Sequence, residues 1–129
     1  MSDLRISPAE AFALMRDQGY TYLDVRSPTE FGLGHPEGAK NIPWQMDPTP
    51  GTPANPNFVN EVEAAFSRDA KLIVGCHTNR RSLLASAALQ AAGFTNVLEQ
   101  RAGMAGARDP FGGLIEPGWE ACGLPVSRD

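Results

Sequence analysis

The sequence is short of cysteine, has no surplus of positive charge, and contains no apolar run long enough to cross a bilayer. Each shortage excludes something. Two cysteines among 129 residues cannot build a disulfide framework, which favours a reducing, cytoplasmic setting. Eleven basic against fifteen acidic residues leave a net charge of −4. That balance argues against a nucleic-acid partner or an anionic membrane surface, both of which require a basic excess. The opening stretch carries Asp3, Arg5 and Glu10 without a continuous apolar core, so no secretory leader is expected. No segment approaches the ~20 apolar residues of a membrane span. The two cysteines and two histidines show no ligand spacing such as Cys-x-x-Cys, so no metal is expected. Gly32, Gly34 and Gly38 miss the dinucleotide-binding spacing, because Glu37 occupies its third glycine position. No organic cofactor is expected either. A chain of this length reads as one domain over residues 1–129, able to bury roughly two-thirds of its unfolded surface.

What is present is an alternation of strand and helix signals. Ser7-Pro8-Ala9-Glu10 places a capping serine, a proline at the first helical position and a glutamate to close a capping box. Ser27-Pro28-Thr29-Glu30 repeats it. The first helix is expected over 8–18, burying Phe12, Leu14 and Met15 and stopping at Gly19; the second is short, cut off by Gly32 and Gly34. Tyr20 to Val25 reads as a strand. Lys71 to Gly75 is a brief apolar run without alternation, the pattern of a strand covered on both faces. A helix is expected from Arg80 to Ala92 with Leu83, Leu84, Ala87, Ala88 and Ala91 as its buried stripe, followed by a strand from Phe94 to Leu98. Asn41 to Trp44 suggests a further strand, and Phe58 to Phe66 a helix with Val59, Val62 and Phe66 in register. Pro48, Pro50, Pro53 and Pro56 mark a long surface loop. The fold class is α/β, with a parallel sheet covered by helices.

The informative segment is Cys76-His77-Thr78-Asn79-Arg80-Arg81-Ser82. A cysteine ends a buried strand, four residues follow, and an arginine then opens a helix. Ligands in open α/β sheets bind beyond the carboxyl ends of strands, so Cys76 stands where a reactive group belongs. If the intervening residues curl into a cradle, their amides and the positive helix end converge on the sulfur. With His77, Arg80 and Arg81 nearby and no carboxylate in the loop, the thiol pKa is expected well below its free value of about 8.5. Asn79 tolerates a left-handed turn position. The bland alternative is an inert buried thiol beside two solvated arginines. Two arginines at a helix N-terminus oppose the macrodipole, and a bound anion would explain them.

These residues resemble the rhodaneses, single-domain sulfurtransferases. The family pattern of Cys, four residues, Arg and then Ser or Thr is matched by Cys76, Arg81 and Ser82. The upstream block is matched by Asp24-Val25-Arg26, Glu30 and Gly34-His35, and the following elements by Gly38-Ala39 and Asn41-Ile42-Pro43. Gly118-Trp119 and Gly123-Leu124-Pro125-Val126 resemble the family's closing elements. Three departures stand out: Asn79 where the family often has glycine, His35-Pro36-Glu37-Gly38 in place of His-Ile-Pro-Gly, and extra residues over 101–113 placed to line the site mouth.

The resemblance implies a three-layer domain, a small parallel sheet flanked by helices on both faces. It also implies that Cys76 takes sulfur from a small anionic donor such as thiosulfate and passes it, as a persulfide, to cyanide or a thiol. His77, Thr78, Asn79, Arg80 and Arg81 would hold the donor, with Arg81 on its sulfonate. Asp24, Arg26 and Glu30 read as a buried ion-pair network behind the strand end, and His35 as a structural hydrogen-bonder. A protein supplying or receiving sulfur fits the same chemistry, in a monomer or dimer. Cys122 reads as a packed apolar thiol on a late helix. Two rivals are kept. A phosphatase or arsenate reductase of related fold would need a loop one residue longer and an acid that Thr78 and Asn79 cannot supply. A non-catalytic rhodanese module that only binds partners would not need the cysteine that this chain keeps.

Overall fold

Gly75, the last residue of its strand, lies directly over the Tyr22 ring, where any side chain would collide with the phenol. That contact belongs to the pairing at the centre of the structure, a computed structural model that describes residues 4–47, 49, 51–78 and 80–129. β2 (Thr21–Asp24) and β5 (Leu72–Gly75) run parallel with Asp24 opposite Gly75. β1 (Arg5–Ile6), β6 (Val97–Gln100) and β4 (Lys40–Asn41) complete a five-stranded sheet ordered β1-β6-β5-β2-β4, parallel throughout.

The sheet separates two apolar cores because successive side chains of β2 and β5 alternate between its faces. Leu23, Leu72, Val74 and Val97 face α3 (Phe58–Ala65) and α4 (Arg80–Ala91), where Phe58, Val62, Ala85 and Leu89 meet them. Tyr22 and Ile73 face α1 (Pro8–Gln18) and Trp119, whose ring meets Tyr22 edge-on at 5.4 Å between centroids. This is the three-layer α/β arrangement expected above. Both capping boxes form: Ser7 and Ser27 accept from the amides of Glu10 and Glu30, whose carboxylates reach back. They open α1 and the short α2 (Pro28–Leu33). β3 (His35–Pro36) pairs antiparallel with β9 (Val126–Ser127), and β7 (Ala107–Arg108) with β8 (Leu114–Glu116) as a hairpin in the inserted stretch.

The connections define the site. From β2 the chain moves outward to β4, whereas from β5 it moves the other way to β6. The loops leaving these two adjacent strands therefore diverge at their carboxyl ends and open a crevice, the switch point of an open α/β sheet. Cys76 follows β5 at that point.

Several boundaries and one face differ from expectation. The buried stripe of α4 is Ser82, Ala85, Ser86 and Leu89, while Leu83 and Leu84 are each 47% exposed. The helix is rotated towards Ser82, whose hydroxyl donates to the buried Glu99, while Ser86 bonds back to the Leu83 carbonyl of the same helix. α1 buries Pro8 and Ala11 fully and leaves Phe12, Leu14 and Met15 half-covered against the second core. The last central strand begins three residues later than expected, at Val97, because Phe94 is spent as a core plug at the turn before it. The strand expected over 41–44 shrinks to Lys40–Asn41. Cys122 lies in turns, not on a helix, and is exposed. Pro48 and Pro50 of the expected loop lie outside the described residues; the rest of 45–57 forms no helix or strand.

The observed face of α4 is open to a direct check. Leu89→Ala should cost about 3 kcal/mol in chemical denaturation, and Leu84→Ala about 0.5 kcal/mol or less. Comparable losses at both positions would contradict this helix orientation.

Candidate functional site

Cys76 is only 1% exposed and sits at the edge of the apolar core. Its sulfur lies 3.3 Å from the Ser82 amide and 3.3 Å from the Ser82 hydroxyl. Burial raises the thiol pKa; the Ser82 hydroxyl, the amides of Ser82 and Arg81, and the Arg81 charge oppose it without cancelling it. The expected low pKa is therefore corrected: the resting group is a capped thiol. Its depth removes the water that would solvate a thiolate, and this outweighs the donors around it.

The carboxylates and arginines behind the strand ends form two separate pairs rather than one network. Arg26 wraps Asp24, with Nη2 at 2.7 Å from Oδ2, and donates also to the Gly34 carbonyl. Both residues are buried, so the pair and its backbone bonds offset the cost of taking two charges out of water. Arg81 makes a bidentate bond to Glu30, at 2.7 and 2.9 Å. Burial alone would raise the Glu30 pKa, but the Arg81 guanidinium and the Ser27 amide and hydroxyl outweigh it and bring the group to about 2. The anion that explains an arginine in the first turn of α4 is thus, in this structure, a carboxylate of the chain itself. His35 is buried, stacks on Phe31 at 3.6 Å between centroids, and holds the Phe31 carbonyl at 2.8 Å through Nδ1.

The loop after Cys76 is gripped from one side. The carbonyls of Cys76 and His77 accept from the amides of Met104 and Ala105 at 2.9 and 2.8 Å. Gly103, at φ +63°, packs so closely on the carbonyls of Cys76, His77 and Thr78 that no side chain fits there. With three successive carbonyls turned towards 103–105, the amides are left for the opposite side. Gln100, fully buried, sets this clamp by accepting from the amides of Ala102 and Gly103. Above the loop opens a cleft of about 270 Å³ lined by Arg26, Glu30, His77, Met104 and Ala105. His77 and Arg80 are exposed and Thr78 is half-buried; Asn79 lies outside the described residues. The inserted stretch does reach the mouth, through Met104 and Ala105.

Three residues of the site were not singled out from the sequence as site residues: Ser82, Glu99 and Gly103. Ser82 had a signal as the last member of the cysteine–arginine pattern. Glu99 had none, since it fell beyond the expected strand. Among the described residues, no group of three or more His, Cys, Asp or Glu is placed to hold a metal, and no helix is long and apolar enough to cross a membrane.

A family model described as the rhodanese-like domain matches residues 7–108. The senescence-associated protein DIN1 of Raphanus sativus is 39% identical over 92 residues, covering 71% of this chain and 50% of that protein. Thiosulfate sulfurtransferase 16, chloroplastic, of Arabidopsis thaliana is 38% identical over 108 residues, covering 84% of this chain and 80% of that protein. Its name gives the cytoplasmic expectation no support. Among solved structures, Rv0390 from M. tuberculosis superposes with a TM-score of 0.77 at 26% identity, over 97% of both chains. The chain spans about half the length of the first of these relatives. With the match running from the first capping box through the cysteine loop to the inserted hairpin, the chain belongs to the rhodanese-like domain family.

Proposed function

We propose that this chain is a sulfurtransferase that moves a sulfane sulfur from thiosulfate, or a similar small anionic donor, to cyanide or a thiol through a persulfide on Cys76. The observation that carries the proposal is the seat of Cys76: one thiol at the switch point, 3.3 Å from both the amide and the hydroxyl of Ser82 and next to the Arg81 charge, which oppose the burial that keeps its pKa raised. A relative named thiosulfate sulfurtransferase supports the donor class.

The reaction divides into two displacements. The Cys76 thiol first gives up its proton to solvent; the thiolate then attacks the outer sulfur of thiosulfate, a sulfur–sulfur bond forms, and sulfite leaves with the electrons of the bond that breaks. The persulfide then gives its outer sulfur to the acceptor, and the thiolate returns. Sulfite is a stable leaving group, so no general acid is called for. Arg81 serves the donor's sulfonate, which competes with Glu30 for the same guanidinium fork. His77 and Arg80 add basic donors at the rim, with Thr78 between them in the loop. Asp24, Arg26 and His35 hold the neighbouring turns, and Glu30 keeps Arg81 extended across the site until a donor arrives.

Thiosulfate treatment should leave the intact protein one sulfur atom heavier by mass spectrometry. Cys76→Ser should lose both that increment and turnover, while Cys122→Ser keeps most of its activity; turnover in the first variant, or no sulfur gained by the intact protein, refutes the proposal. Arg81→Ala should raise KM for thiosulfate at least about tenfold, the worth of a charge-assisted hydrogen bond. A KM within experimental error of the intact protein's would remove Arg81 from donor binding. The Glu30 pair also predicts a pH dependence. Its carboxyl moves from an ordinary 4.5 to about 2 on folding, so the stabilisation is complete above pH 4.5 and is lost as pH falls towards 2. Melting curves of the intact protein and Glu30→Gln should differ at neutral pH and converge over that window; a constant gap would show that the pair does not stabilise the fold.

A further inference from the structure

Behind Cys76 a buried chain of polar groups leads away from the donor cleft. The Cys76 sulfur is 3.3 Å from Ser82 Oγ, and Ser82 Oγ donates to Glu99 Oε2 at 2.6 Å. Glu99 Oε1 accepts from Arg5 Nε at 2.6 Å. Ser82 is fully buried and Glu99 is 2% exposed, whereas the Arg5 side chain is 37% exposed. Glu99 and Arg5 both line a surface cavity of about 170 Å³ beside Leu83 and Gln90. The chain thus runs from the thiol, under α4 and across β6, to the edge strand β1.

A hydroxyl has one proton to give. Glu99, as the carboxylate paired with Arg5, takes the proton of Ser82, which leaves Ser82 Oγ to accept from the Cys76 S–H. We propose that Glu99 is a positioning residue that holds Cys76 as a thiol through Ser82 and, when the thiolate forms, conducts its proton to the surface at Arg5. In that step the S–H bond breaks as an O–H bond forms on Ser82. The original Ser82 proton passes to Glu99, and Glu99 releases it to water in the Arg5 cavity. The sulfur keeps the electron pair, and Ser82 now donates to the thiolate. One hydroxyl serves both states: it accepts from the thiol while its own proton points to Glu99, and it donates to the thiolate once it has turned to the sulfur.

The other groups facing the sulfur do not offer this path. Arg81 of α4 is held by Glu30, Tyr22 of β2 feels the sulfur's charge but is bonded to Gln100 of β6, and Asp24 of β2 is closed by Arg26. Burial raises the thiol pKa and a Ser82 hydroxyl that donates to the sulfur lowers it; with the Ser82 proton held by Glu99 that donation is withdrawn and burial is left unopposed by it. The inference deepens the reading of Cys76 as sulfur carrier, yet its test uses no sulfur donor. Persulfide loading can therefore fail while this test succeeds, and the reverse.

The test is a pH titration of Cys76 in a Cys122→Ser background, followed by thiolate ultraviolet absorbance and by alkylation with iodoacetamide. In Glu99→Gln, Arg5 retains the amide oxygen and the amide nitrogen donates to Ser82, which turns its proton to the sulfur. The midpoint should fall by about one pH unit, with alkylation at neutral pH about tenfold faster. In a Ser82→Ala background the same substitution should shift the midpoint by less than half as much. A midpoint that is unchanged or raised in Glu99→Gln overturns the proposal. So does an equal shift with and without Ser82, since Glu99 would then act through its field alone. Should Glu99→Gln fail to fold, Arg5→Gln gives the opposite check: the lone carboxylate binds the Ser82 proton more tightly and the midpoint rises, whereas a lowered or unchanged midpoint counts against the relay.

Discussion

Every buried charge near the cysteine is met by an opposite charge supplied by the chain. An unpaired ion in an interior of low polarity costs several kcal/mol, more than a domain of this size can carry at more than one place. Asp24 with Arg26, Glu30 with Arg81, and Glu99 with Arg5 satisfy that constraint in turn. The three pairs radiate from the carboxyl ends of β2, β5 and β6, where a parallel sheet leaves loops and helix starts in need of partners. Beside the crevice the charges of Asp24 and Arg26, and of Glu30 and Arg81, are therefore met in pairs. Under the function proposed above, a donor anion would not enter an empty positive hole but would displace a carboxylate from a guanidinium that is already oriented.

That exchange separates the residues that hold the site from those that work in it. Asp24 and Arg26 are bound to each other and to backbone, and nothing small could replace those bonds. In the other pair Glu30 lines the cleft, and its two bonds to Arg81 run from side chain to side chain. Phe31, which follows Glu30 on α2, stacks on His35, and His35 Nδ1 holds the Phe31 carbonyl. Rigid and exchangeable pairs so close together let a ligand change one contact while the loop stays still.

Much of the fold was legible because its determinants are local. A serine, a proline and a glutamate in fixed order close a helix end without help from elsewhere, and both such ends formed. The run from Leu72 to Gly75 could only be a covered strand. The face of α4 was not legible, because counting apolar residues favours Leu83 and Leu84, while the packing favours Ser82 and Ser86. Ser82 in particular is buried for a reason distant in the chain, the Glu99 carboxylate seventeen residues away. The state of Cys76 was misjudged for a related reason. Its cationic neighbours are visible in the sequence, but its depth is a property of the packed whole, and depth decides whether a sulfur stays protonated. The partner of Arg81 lies on a different helix, fifty-one residues upstream, and no spacing announces it.

The grip of residues 103–105 on the carbonyls of the cysteine loop has a structural consequence. The inserted hairpin projects Phe111 and Ile115 into solvent, 97% and 67% exposed, yet its root is bonded to the backbone that frames the sulfur. The insertion thus joins an exposed apolar tip to the backbone carbonyls of Cys76 and His77, and trimming it back past Gly106 would remove a wall of the cleft along with an ornament at the surface.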